Sequence, residues 1–209
     1  MLSDGHGAHR GVHPPPAELV ERGARIVALD RDNPGNLALT FGVGADALID
    51  TTAYNVDHAR QLLTVQGNVG SFVVISSASV YRDGLGRTLD EASQTGFPEL
   101  PDPIPETHPT VDFGPTTYST RKIALERHLL DESAVPVTVL RPCAIHGVGS
   151  RHPREWWVVK RILDRRPAIP LAYRGTSRFH TSAVTNIAAL TRIAVEVPGR
   201  RVLNIGAQQ

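Results

Sequence analysis

A tyrosine and a lysine four residues apart, in Tyr118-Ser119-Thr120-Arg121-Lys122, are the pair best suited to chemistry in this chain. Only two lysines occur in the whole sequence, Lys122 and Lys160. On a helix the four-residue spacing stacks both side chains on one face, a turn apart. An unperturbed phenol, with a pKa of about 10, is a poor acid or base near neutrality. A neighbouring ammonium favours the phenolate and draws that pKa towards the working pH, which suits proton transfer at a carbonyl or alcohol. Taken alone the match is weak, because a solvated aromatic and a solvated cation on an amphipathic helix give the same pattern.

The elements that must position the pair are legible in outline. Short apolar runs at 24–29, 47–50, 71–75, 136–140 and 201–205 predict buried strands, most of them closed by turn residues. Helical spacing follows at 56–65, then from a cap at Thr116 or Thr117 through Glu132, and again near 155–164 and 182–195. Residues 36–44 read as a short helix or a loop. Residues 1–16 read as a flexible segment ending in three prolines, with His6, His9 and His13 too interrupted by glycine for a helical metal clasp. Residues 82–116 are long and irregular, which in a compact domain points to a lid or substrate loop.

Strands without clean alternation, separated by helices, predict a doubly wound parallel α/β sheet covered on both faces. Ligands bind such sheets at the C-terminal strand ends. Asp30, residues 51–54, residues 76–79 and residues 142–145 all follow strands, so they gather along one edge beside the helix of Tyr118. Residues 76–79, read without that helix, are a small-residue turn capping a strand. Asp30 by itself is an Asx turn into Asn33-Pro34-Gly35.

This ordered set resembles the extended or atypical branch of the short-chain dehydrogenase/reductase superfamily, the NAD(P)-dependent epimerases and dehydratases. The resemblance rests on Asp30-Arg31-Asp32, Asp50-Thr51-Thr52-Ala53-Tyr54, Ser76-Ser77-Ala78-Ser79-Val80-Tyr81, Tyr118 to Lys122, and Leu140-Arg141-Pro142 through His146-Gly147. It implies a Rossmann-like fold with Tyr118 as general acid/base, and Lys122 lowering its pKa and bonding the nicotinamide ribose. Ser77 would hold the substrate hydroxyl, with Ser79 as second choice. By the same resemblance Asp30, Arg31, Thr52, Ala53, Ser76, Pro142, Cys143 and Ala144 would line an NADP or NAD site. Arg10 would sit where an arginine meets a 2′-phosphate. Tyr81, Arg154 and Arg178 would face a small-molecule substrate, a sugar nucleotide or a similar hydroxyl or carbonyl metabolite. A non-catalytic cofactor-sensing or RNA-binding protein of the same fold is the alternative.

The family pattern opens with a strand and a Gly-x-x-Gly-x-x-Gly loop cradling the pyrophosphate. Here residues 5–11 offer only a Gly-x-x-Ala-x-x-Gly echo. The spacing from Asp30 to the next strand suits the family's third strand, with His9-Arg10-Gly11 resembling the loop after its second. The expectation is a chain lacking the first β-α-β unit, roughly 30 residues, and part of the C-terminal lobe, with weak cofactor binding. Domain boundaries are then a flexible segment at 1–16, a partial NAD(P)-binding domain at 17–147, and a partial substrate region at 148–209.

Composition excludes several alternatives. A formal net charge of +1 with scattered arginines argues against a nucleic-acid partner. Cys143 is the only cysteine, so an internal disulfide and a cysteine-based metal site are excluded. No apolar stretch approaches the ~20 residues of a membrane helix, and a cytoplasmic location is expected. The absence of a Gly-x-Ser-x-Gly elbow argues against a serine hydrolase. One of Trp156 and Trp157 is expected in the core, and an outward apolar face on 123–130 would suit a homodimer through the helix carrying Tyr118.

Overall fold

The computed structural model describes residues 6–9, 17–33, 35–42, 44–150, 155–175 and 180–206. Strands β1 (His6–His9) and β2 (Arg25–Ala28) pair in parallel. A second parallel sheet runs in the order β3 (Leu48–Asp50), β4 (Phe72–Ile75), β5 (Val137–Pro142), β8 (Arg201–Ile205). A third parallel pair joins β6 (Ala144–His146) to β7 (Thr181–Ala183). Connecting helices are α1 (Ala17–Glu21), α2 (Asn36–Phe41), α3 (Val56–Thr64), α4 (Ala92–Thr95), α5 (Tyr118–Glu132), α6 (Trp156–Leu163) and α7 (Val184–Glu196).

Both faces of the four-stranded sheet are covered, as parallel strands require. Phe72, Val74, Val137 and Val139 point to one side, where they pack with Ala59 and Leu62 of α3 and Leu125 and Leu129 of α5. Val73, Ile75 and Leu140 point to the other, against Ile187, Leu190 and Ala194 of α7. The expected doubly wound parallel architecture is therefore present. Gly70 sits at the entry to β4, where a Cβ would lie 2.4 Å from the Asp46 carbonyl oxygen. Gly70→Ala is expected to destabilise the chain by about 1–3 kcal/mol, read as a lower urea midpoint.

Two expectations need correction. The segment at 1–16 reads as loop in the sequence, yet His6–His9 forms β1. Its sequence, His-Gly-Ala-His, has no alternation and no β-branched residue; backbone pairing with β2 makes it a strand. The tryptophans also depart from expectation, because Trp156 and Trp157 are both substantially exposed, as is nearly all of α6.

Segment 82–116 is tied down rather than loose. Asp83 accepts hydrogen bonds from the backbone N–H groups of Leu85, Arg87 and Glu99 and from Arg87 Nε at 2.7 Å. Burial pushes the Asp83 carboxyl up, but the donors from Glu99, Arg87 and Leu85 outweigh it and hold the pKa at about 2. Asp83→Ala should open this segment to limited proteolysis between 84 and 99 while α5 stays protected.

Candidate active site

Helix α5 is fixed at its first turn by two caps and a side-chain anchor. Thr117 Oγ accepts from Thr120 N–H while Thr120 Oγ accepts from Thr117 N–H, a capping box with threonine in the third position. Asp90 accepts from the backbone N–H of Ser119 at 3.0 Å. Ser119 Oγ donates to the Ser79 carbonyl at 2.9 Å and lies 3.0 Å from Ser79 Oγ. The first helical residue, Tyr118, is left 41% exposed, at the strand-end edge that Ser77 also occupies.

Lys122, one turn on, is only 5% exposed. Its Nζ donates to the Ala53 carbonyl at 2.6 Å and the Ile75 carbonyl at 3.0 Å, and lies 5.7 Å from the Tyr118 ring centroid. Those two carbonyls belong to the turn after β3 and the end of β4, so the ammonium binds both strand ends to α5. Buried Asp50 shapes the first turn: its Oδ1 accepts from Thr52 N–H and Ala53 N–H, each at 2.8 Å. Ser77 shapes the turn after β4 by capping residues 78–80 through Ser79 N–H.

Ionisation here differs from the pattern-level expectation. Burial lowers the Lys122 pKa to about 8, against the pull of Asp50 and Glu126. The Tyr118 phenol is raised, first by burial, with the Ser77 hydrogen bond opposing and Tyr54 and Asp90 adding to the rise. The largest cause is burial, which the four-residue spacing does not reveal. Lys122 has a folded pKa below its unfolded value of 10.5. The unfolded chain therefore holds more protons between pH 8 and pH 10.5, so this group makes stability rise with pH across that window. The gain is on the order of 2 kcal/mol between pH 8 and pH 10, and Lys122→Met should flatten it in urea titrations.

The other predicted residues divide clearly. Asp30, Thr52, Pro142, Cys143 and Ala144 lie at the ends of β2, β3 and β5, on the edge where Tyr118 and Ser77 sit. Asp30 makes the Asx turn, accepting from Asp32 N–H at 3.0 Å. Cys143 is anchored through its backbone N–H to Ser182 Oγ at 2.9 Å, and burial raises its thiol pKa despite the Ser182 bond. Ser79 is occupied by Ser119. Ala53 is fully buried and contributes its carbonyl. Arg10, Arg154 and Arg178 lie outside the described residues.

Three predicted contact residues are instead interior. Arg31 is buried in an ion pair with Asp50 and also donates to Gln61 at 3.1 Å. Ser76 gives its hydroxyl to Glu126. Tyr81, 1% exposed, donates to Asn204 Oδ1 at 2.7 Å and accepts from Arg141 at 2.9 Å. Their side chains serve the wall of the site rather than its surface.

Sequence reasoning passes over Asp50, Tyr54, Asp90 and Glu126 as site residues. The Tyr54 ring lies 5.7 Å from that of Tyr118 and its hydroxyl accepts from Arg121 at 3.2 Å. Asp50 and Tyr54 stand inside a matched motif; nothing local marks Asp90 or Glu126. The expected apolar outward face on α5 is absent, since Ile123, Leu125 and Leu129 turn inward. A groove of about 770 Å³ along the outer side is lined by Arg121, Arg127, His128, Asp131 and Phe113, and by neither Tyr118 nor Ser77. Among the described residues no cluster of three metal-binding side chains occurs, and no helix is long and apolar enough to cross a membrane.

A parallel sheet wound on both faces, with polar strand ends gathered beside a capped helix, defines a Rossmann-like architecture. Among solved structures the chain is similar to a candidate epimerase from Burkholderia cenocepacia J2315, with 20% identity and a TM-score of 0.71 over 98% of this chain and 67% of that one. It is also similar to WbmG from Bordetella bronchiseptica, solved with NAD, at 18% identity and a TM-score of 0.65 over 92% and 59%. UDP-glucuronic acid 4-epimerase from Bacillus cereus, solved with UDP-glucuronic acid and NAD, matches at 17% identity and a TM-score of 0.64 over 98% and 69%. The chain thus spans about two thirds of the length of these structures. No protein-family model and no curated protein matches the sequence.

Proposed function

We propose that this chain carries the nicotinamide-side half of an NAD(P)-dependent epimerase, dehydratase or reductase site, acting on a hydroxyl or carbonyl of a sugar nucleotide or similar metabolite. The observation that carries the reading is the Lys122 ammonium 5.7 Å from the Tyr118 ring centroid and fixed to the end of β4, two residues before the Ser77 hydroxyl. Such a hydroxyl holds a substrate oxygen against the phenol, and the phenolate takes its proton as the carbonyl forms. The ammonium, fixed by two carbonyls, supplies positive charge without needing to reorganise.

The residues present fit a dinucleotide at one end. The turn after β3 and the end of β4 converge on Lys122, which keeps a third N–H beyond the two given to carbonyls. At the other end, the described residues contain no glycine-rich turn opening a helix. A bound nicotinamide would supply the hydride acceptor or donor. The chain's own residues hold the substrate oxygen and move its proton. WbmG and the 4-epimerase were solved with NAD, which supports NAD as the first cofactor to try, with NADP as the alternative.

The test is a panel of UDP-hexoses and simple secondary alcohols incubated with the chain and millimolar NAD or NADP, read by absorbance of the reduced cofactor and by NMR of the sugar. Cofactor reduction or stereochemical inversion that requires Ser77 supports the reading; turnover equal in Ser77→Ala contradicts it.

A further inference from the structure

Behind Lys122 lies a second buried charge that the proposed proton transfer does not use. Glu126 is four residues beyond Lys122 on the same face of α5 and is 2% exposed. Its carboxylate accepts from Ser76 Oγ and from Arg141, with Arg141 Nε 3.1 Å from both oxygens. Arg141 reaches on to the Tyr81 hydroxyl, which donates to Asn204. Asn204 Nδ2 donates to the Ile104 carbonyl at 2.8 Å, and Asn204 N–H donates to Glu106 at 3.0 Å. One chain of hydrogen bonds therefore joins α5, the ends of β4, β5 and β8, and segment 82–116.

The adjacency to the site is direct. Ile75 gives its carbonyl to Lys122, and the next residue, Ser76, gives its hydroxyl to Glu126. Lys122 is faced by Asp50 from the end of β3, itself paired with Arg31 from beyond β2. Tyr118 and Glu126 face it from its own helix, and Arg141 stands behind Glu126 on β5. A buried ammonium loses its proton readily unless a carboxylate stands near. We propose that Glu126 is a positioning residue for the Tyr118 site, its buried carboxylate keeping Lys122 Nζ in the ammonium form across the ends of β3 and β4. Arg141 and Ser76 hold Glu126 ionised and fixed in turn. Substrate-side segment 82–116 is coupled to that charge through Tyr81 and Asn204.

The inference rests on reading Lys122 as the partner of Tyr118, but its test reads Lys122 alone. With two lysines in the chain, ¹³Cε labelling gives two side-chain signals, and exposed Lys160 is an internal control. Glu126→Gln should lower the Lys122 midpoint by about one unit or more, leaving Lys160 unmoved; Glu126→Asp should restore most of the shift. Glu126→Gln with Arg141→Met removes both buried charges and keeps the experiment sound if the single variant fails to fold. There Lys122 should still titrate below its wild-type midpoint, by a smaller margin. A Lys122 midpoint unchanged or raised in these variants overturns the proposal and leaves the Tyr118 reading standing. Equal turnover in Tyr118→Phe would remove that reading and leave the titration intact.

Discussion

Tyr118→Phe is expected to cut turnover by about 10²–10⁴-fold at saturating NAD, the span that a positioned acid/base typically contributes. The loss should fall on kcat with KM little changed, because the phenol's proton transfer is realised only in the transition state. The substitution removes one oxygen from a side chain already 41% exposed, so the fold should tolerate it and the effect is read on an intact protein. The pH profile carries the same information. Burial raises the Tyr118 pKa above the ordinary phenol value, so the phenolate is scarce at neutrality and rate should climb with pH. Lys122 loses its proton near pH 8, so the climb should bend over there. Tyr118→Phe should flatten the rising limb, whereas a merely structural tyrosine would leave the profile's shape unchanged.

Arg141→Met is expected to destabilise the chain by about 3–5 kcal/mol, because it strands the buried Glu126 carboxylate without its counter-charge. Both side chains are almost fully enclosed, at 6% and 2% exposure. Removing both charges together, in Arg141→Met with Glu126→Leu, should regain most of that loss, since well-packed apolar residues replace such pairs at little cost. Urea denaturation of the two single variants and the double variant gives the comparison. Equal stability of Arg141→Met and wild type would mean that the pair is solvated and that α5 is held by its apolar face alone.

Much of this arrangement is legible in the amino-acid sequence alone. The cap at Thr117, the length of α5 and the last strand are readable because local rules decide them: a threonine opening a periodic run, and an apolar stretch following glycine. The gathering of Tyr118, Ser77 and residues 142–144 at one edge follows from parallel topology, which places every strand end on the same side. What escapes a sequence reading is decided by tertiary contact. β1 is a strand because β2 lies beside it, and His-Gly-Ala-His announces nothing of that. Glu126 reads as one more acid on an amphipathic helix until Arg141 and Ser76 close over it. Tyr81 and Arg31 look like surface residues of a binding site because they stand in the right motifs. Their side chains turn inward, where a phenol and a guanidinium must find partners and find them in Asn204 and Asp50. The direction of the Tyr118 pKa is hidden for the same reason, since burial of the phenol is not written in a four-residue spacing.

Saturation-transfer NMR with NADH tests the central claim most directly, because it detects weak binding and reports which end of the cofactor touches protein. The prediction is transfer to the nicotinamide-ring protons in the wild-type chain, lost in Lys122→Met and reduced in Tyr118→Phe. Transfer confined to the adenine protons, or nicotinamide transfer unaltered by loss of Lys122, would contradict the account.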